Sequence, residues 1–171
     1  MKTVCSWCGR IIANKKDANF ISDNITHGLC RDCQEFVNEN VPVTLSEFIS
    51  RLEVTVLVVD SKGRVVTANQ QTCTLFNKDI SQVENQLGGN VMECAYARLP
   101  GGCGNTIHCT GCTIRQTVMK TFETGRGADR VEAYQDIMTE QGVQCMTVII
   151  STLKLKDTVL LKIDKIGSSL E

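Results

Sequence analysis

Ten cysteines in 171 residues carry most of the chemistry this chain could perform. Cys5, Cys8, Cys30 and Cys33 form two Cys-x2-Cys pairs with 21 residues between them. Each pair fits a tight turn, and two such turns can converge their thiolates into a tetrahedral metal site. Zinc is the expected occupant, because a segment too short for a core of its own is commonly held together by a structural metal. Two disulfides or a rubredoxin-like iron are the alternatives. His27, near Cys30, is a spare ligand or a turn residue, and Trp7, between two ligands, is expected to shield the metal from water.

A second set, Cys94, Cys103, Cys109 and Cys112, is separated by eight, five and two residues. Gly101, Gly102 and Gly104 let the backbone bend closely round Cys103, and amides exposed in such a loop can hydrogen-bond metal-bound sulfur. Cys112 stands at the expected start of a helix, whose dipole favours a thiolate. Three chemistries compete here. An iron-sulfur cluster takes four thiolates in a sheltered pocket, a second zinc takes the same ligands, and Cys109 with Cys112 could close a disulfide under oxidation. Covalent c-type haem is disfavoured because Thr113, not His, follows Cys112. His108 is read as a neighbour rather than an axial ligand. Cys73 and Cys145 are expected to pack as small apolar residues.

Something must position these thiols. The chain is 42% apolar, with 18 Lys and Arg against 19 Asp and Glu, enough for one ordinary domain plus a small module. There is no basic excess to neutralise phosphates, so nucleic acid is not the expected partner. The longest apolar run, Val54 to Val59, falls far short of the roughly 20 residues of a membrane span, and the N-terminus has no signal core. The expectation is a soluble cytoplasmic protein whose thiols stay reduced.

Leu45, Phe48, Ile49 and Leu52 recur at helical spacing behind Thr44 or Ser46 as cap, predicting a connecting helix. The apolar run from Val54 reads as a buried strand that turns at Asp60-Ser61-Lys62-Gly63 and pairs with Arg64 to Ala68. Short helices follow as far as Gly88-Gly89, then a longer helix from Thr113 to Thr124, ended by Gly125. Three strands close the chain, Arg130 to Met138, Val143 to Leu153 and Thr158 to Ile166. This order predicts an α+β fold, with helices between two halves of one antiparallel sheet.

The stretch EVTVLVVDSKGRVVTANQQTCTLFN and the closing pair of long strands resemble a PAS domain, a likeness covering Leu45 to Ile166, about two thirds of the chain. CSWCGR with ITHGLCRDC is similar to the small zinc ribbons found ahead of bacterial signalling domains. The resemblance implies a five-stranded antiparallel sheet with helices on one face. It divides the chain into a zinc-ribbon-like module at 1–40, a connecting helix at 41–53, a PAS-like domain at 54–166 and a tail at 167–171. PAS domains hold haem, flavin, organic acids, metal clusters or nothing, so the likeness implies a cofactor pocket without naming its occupant. No phosphate loop, nucleophile elbow or HExxH helix is present, which argues against an enzyme. The expected function is sensing of redox or oxygen state through a Cys-ligated metal or iron-sulfur centre, relayed by a homodimer to a separate kinase or regulator. A zinc-stabilised interaction module that senses nothing is the alternative, and a thiol oxidoreductase using Cys109 and Cys112 is a third reading.

Overall fold

The computed structural model of the chain describes residues 2–5, 8–14, 25–28, 30–33, 35 and 44–168. Trp7, and the side chain of His27, lie outside what it describes. The fold divides into two compact units after Thr44.

In the first unit β1 (Lys2–Cys5) pairs antiparallel with β2 (Ile11–Asn14) and parallel with β3 (Ile25–Gly28). The turn between β1 and β2 carries Cys8 and is closed by Gly9, at φ 72°, whose N–H donates to the Cys5 carbonyl at 2.9 Å. Only a residue free of Cβ strain takes that backbone readily, which suits a Cys-x2-Cys-Gly turn.

The second unit begins with α1 (Leu45–Ser50), in which Ile49 is fully buried. The helix expected as a connector therefore packs as part of this unit. Its sheet is formed by β4 (Thr55–Val59), β5 (Val65–Ala68), β6 (Val131–Thr139), β7 (Gly142–Leu155) and β8 (Thr158–Ser168). The order across the sheet is β5-β4-β8-β7-β6, with every pairing antiparallel. Between β5 and β6 come α2 (Gln70–Phe76), α3 (Ile80–Val83), α4 (Gly88–Val91), two 3-10 turns at Ala95–Arg98 and Ile107–Gly111, and α5 (Thr113–Thr124). This is the α+β fold that the strand and helix order predicts, in the PAS-like form that the resemblance implies. The final strand runs to Ser168, two residues past its expected end, because Met146 still pairs with it there.

Strand alternation sorts the side chains. Leu57, Val59, Val148, Ile150, Val159, Leu161 and Ile163 face the helices and share one core with Cys73, Val83, Val91, Met92, Ile114 and Val118. Asn69 ties three elements together. It caps α2, its Oδ1 accepts from the N–H groups of Val56 and Thr72, and its Nδ2 donates to the carbonyls of Leu52 and Val54 at 3.2 and 2.6 Å. One buried amide thus fixes where β4 begins, where α1 has ended and where α2 starts.

Candidate metal and thiol centres

The N-terminal cysteines converge. The thiol sulfurs of Cys5, Cys8, Cys30 and Cys33 all lie within 4.8 Å of one another. Cys5 and Cys33 are 3.8 Å apart, and Cys8 and Cys30 3.6 Å. Bonds of about 2.3 Å at tetrahedral angles put neighbouring sulfurs about 3.8 Å apart, so this spacing is what one ion demands. The Cys30 N–H points at Cys5 Sγ and the Cys33 N–H at Cys30 Sγ, each at 3.4 Å. Burial and the crowding of neighbouring thiols push Cys33 far above the ordinary thiol range. A cation is what would let such thiols ionise together. These four are positioned to bind a metal ion.

The second set lies in the PAS-like unit around a cavity of about 340 Å³. Cys94, Cys103, Cys109 and Cys112 all line it, under a floor that includes Val59 and Leu161 and a wall that includes Met92 and Val118. Each thiol is placed by a different device. Cys94 forms an antiparallel bridge with Ile137 on β6, and the Met138 N–H donates to the Glu93 carbonyl at 2.8 Å. β6 is an edge strand, and the cysteine segment thus pairs with part of its open side. Glu93 is held between Lys78 and Arg98 at 2.5 and 2.7 Å, and these two cations keep its carboxyl below the usual carboxylate range.

Cys103 packs on α4 at Gly89, where a Cβ would stand only 2.7 Å from its sulfur. Burial raises this thiol, against a hydrogen bond from the Gly89 backbone that favours the thiolate. Cys109 accepts from the Gly104 N–H at 3.0 Å and shares a hydrogen bond with the Thr106 hydroxyl at 3.2 Å. Burial works to raise it, yet Thr106, Gly104 and the guanidinium of Arg115 together bring it below the ordinary thiol value. Cys112 is the N-cap of α5. Its side chain makes no capping hydrogen bond, and burial raises the thiol. The loop glycines do what the sequence suggests, Gly101, Gly102 and Gly104 taking φ of 98°, 72° and 90°.

Two of the four inner thiols, Cys103 and Cys109, therefore receive backbone N–H groups, the arrangement that stabilises thiolates around a metal. They are nevertheless not drawn together as the N-terminal set is. Among the described residues, no other group of three His, Cys, Asp or Glu side chains is as tight as the N-terminal four.

His108 is a neighbour of the thiols, as the sequence suggests, while Tyr96 and Gln135 escaped that reading. His108 stacks on Tyr96 with ring centroids 3.9 Å apart, and the Tyr96 hydroxyl donates to Asp136 on β6 at 2.5 Å. Gln135, only 8% exposed, lines the cavity with its Oε1 unpartnered among the described residues. Cys73 is buried in the core as expected. Cys145 is not: it is exposed, since its face of β7 is the outward one, where Val143 is 57% exposed.

No protein-family model matches this chain, and no curated protein matches it. Solved structures do. The PAS domain of nitrogen regulation protein NR(II) from Vibrio parahaemolyticus is 12% identical, with 72% of this chain and 98% of that chain covered and a TM-score of 0.45. The PAS domain of an HTR-like protein from Haloarcula marismortui is 17% identical over 80% of this chain and 100% of that one, with a TM-score of 0.45. A LOV protein from Rhodobacter sphaeroides is 12% identical over 73% of this chain and 66% of that one, with a TM-score of 0.48. No described helix is long and apolar enough to cross a membrane.

Proposed function

We propose that the PAS-like unit is a redox or oxygen sensor in which Cys94, Cys103, Cys109 and Cys112 hold an iron-sulfur cluster, while Cys5, Cys8, Cys30 and Cys33 hold a structural zinc. One observation carries the reading. The four inner cysteines line a cavity of about 340 Å³ without gathering as the N-terminal four do, and the backbone of Gly89 and Gly104 is directed at Cys103 and Cys109. A polynuclear centre separates its ligand sulfurs more widely than one tetrahedral ion does, and N–H groups directed at sulfur are how proteins stabilise such centres.

Such a group supplies reversible one-electron chemistry and sensitivity to dioxygen when bound. The chain's own residues do the rest. Gly104 and Thr106 hold Cys109, Gly89 leaves room for Cys103, and Met92, Val118 and Leu161 line the cavity with apolar surface. Cys94 and Tyr96 tie the cysteine segment to the edge strand β6. A change in how firmly the thiolates are held therefore reaches β6 directly, and this edge is the surface offered to a separate kinase or regulator. A cytoplasmic homodimer without catalytic activity of its own is part of the same reading.

The test is iron, sulfide and zinc content with a visible spectrum, on protein purified without oxygen and on Cys109→Ser. About one zinc with iron and sulfide, and colour lost in the variant, supports the sensor. About two zinc ions and no colour would instead make the chain a zinc-stabilised interaction module, while a single zinc with oxidisable inner thiols would turn the site into a disulfide switch.

A further inference from the structure

Arg115 sits on the first turn of α5, three residues after Cys112, and its side chain helps line the thiol cavity. Two glycines make room for it. A Cβ on Gly104 would lie 2.9 Å from its Nη1 and 3.1 Å from its Cζ, and one on Gly63 would lie 3.3 Å from Nη1. Gly63 belongs to the turn between β4 and β5, and Gly104 to the cysteine loop, so the guanidinium is wedged between two separate loops.

An arginine so placed normally meets a carboxylate or water, having five donors in a fixed fork. Among the described residues this guanidinium makes no hydrogen bond and no ion pair. Lys78 and Arg98, by contrast, share Glu93, and Lys162 is paired with Asp164. A partly buried cation lacking a counter-ion is unfavourable, and the imbalance disappears when an anionic occupant completes the site. Four thiolates around a metal-sulfur core make such an anion.

We propose that Arg115 is the counter-charge of the cysteine-held centre and sets its reduction potential, an inference that rests on the iron-sulfur reading above. Reduction adds a negative charge to a centre that is already anionic, so a nearby guanidinium favours the reduced form and holds the potential up. Arg115 is a positioning and tuning residue; the ligands remain the four cysteines.

The experiment is a dye-mediated redox titration of the full chain, followed in the visible, for wild type, Arg115→Gln and Arg115→Lys, with iron and sulfide measured in each. Arg115→Gln should lower the reduced-to-oxidised ratio at a given potential by about tenfold or more, about 59 mV for a one-electron couple. Arg115→Lys, which keeps the charge, should stay close to wild type. Loss of iron and sulfide in Arg115→Gln with retention in Arg115→Lys supports the same role, because charge alone separates the two. An unmoved potential in Arg115→Gln, or loss of the centre in both variants, would overturn the assignment while leaving the cluster in place in wild type. A colourless, iron-free wild type overturns the sensor reading itself and this inference with it.

Discussion

Gly89→Ala separates the thiol centre from the fold that surrounds it. Gly89 lies in α4 with a backbone any residue can adopt, so the new methyl strains nothing locally. Its obstacle is Cys103, whose sulfur would be 2.7 Å away and whose Cβ 3.1 Å, where ordinary contact begins at 3.4 Å. The sulfur must retreat by the difference, about 0.7 Å, whereas metal-ligand distances are held to within about 0.2 Å. Overpacking of this kind costs about 1–3 kcal/mol, and replacing a helical glycine by alanine returns up to about 1 kcal/mol. The net loss, about 0–2 kcal/mol, is small beside a domain stability of about 5–15 kcal/mol. Gly88→Ala is the control. It makes the same change one residue earlier in the same helix, with nothing within 4 Å of the new atom. After anaerobic purification, Gly89→Ala should lose most of its iron and sulfide and its visible absorbance, while Gly88→Ala keeps them. Urea midpoints of both should stay near wild type. Full iron, sulfide and an unchanged spectrum in Gly89→Ala would refute the reasoning, since Cys103 could not then be a ligand where the fold puts it.

Asn69→Ala should destabilise the second unit by about 2–4 kcal/mol in urea, from a lost helix cap of about 1 kcal/mol and a buried Val56 N–H left without its acceptor. Asn69→Asp should do no better, because it keeps the acceptor but turns a carboxylate toward the carbonyls of Leu52 and Val54. Tyr96→Phe removes the hydroxyl that Asp136 accepts from; hydrogen exchange at Met138, whose N–H joins β6 to Glu93, should quicken while the urea midpoint barely moves. Cys30→Ser should lose one metal equivalent by elemental analysis and leave the iron and sulfide content unchanged, because the two units are separately compact.

Much of the fold was legible because the strands obey a period of two and the turns carry their own residues. The hairpin at Asp60 to Gly63 and the helix ending at Gly125, at φ 71°, follow from local chemistry alone. The N-terminal metal site was equally plain, since two Cys-x2-Cys pairs leave little freedom in how four sulfurs meet. The limits come from non-local geometry. Alternation groups Val143, Cys145, Thr147 and Ile149 on one face but does not say which face the helices cover, so it suggests packing for Cys145, which lies exposed instead. Asn69 looks like any polar residue before a helix, and its bonds depend on where α1 and β4 come to rest. The wedge of Arg115 between Gly63 and Gly104 joins positions 41 and 52 residues apart along the chain, a relation that neither composition nor spacing encodes.

The pairing of β4 with β8 sets an order of events during synthesis. Val56 lies opposite Lys162, so the sheet cannot close until nearly the whole unit has emerged from the ribosome. The thiol cavity inherits that delay, because its floor is shared between Val59 on β4 and Leu161 on β8. The N-terminal cysteine set is complete at Cys33, ~130 residues earlier. At about 5–20 residues per second, that interval is on the order of ten seconds. A metal at the N-terminal cysteines could therefore be captured by a nascent chain, whereas the centre proposed for the inner cysteines would have to be delivered to a chain whose last strand is already in place.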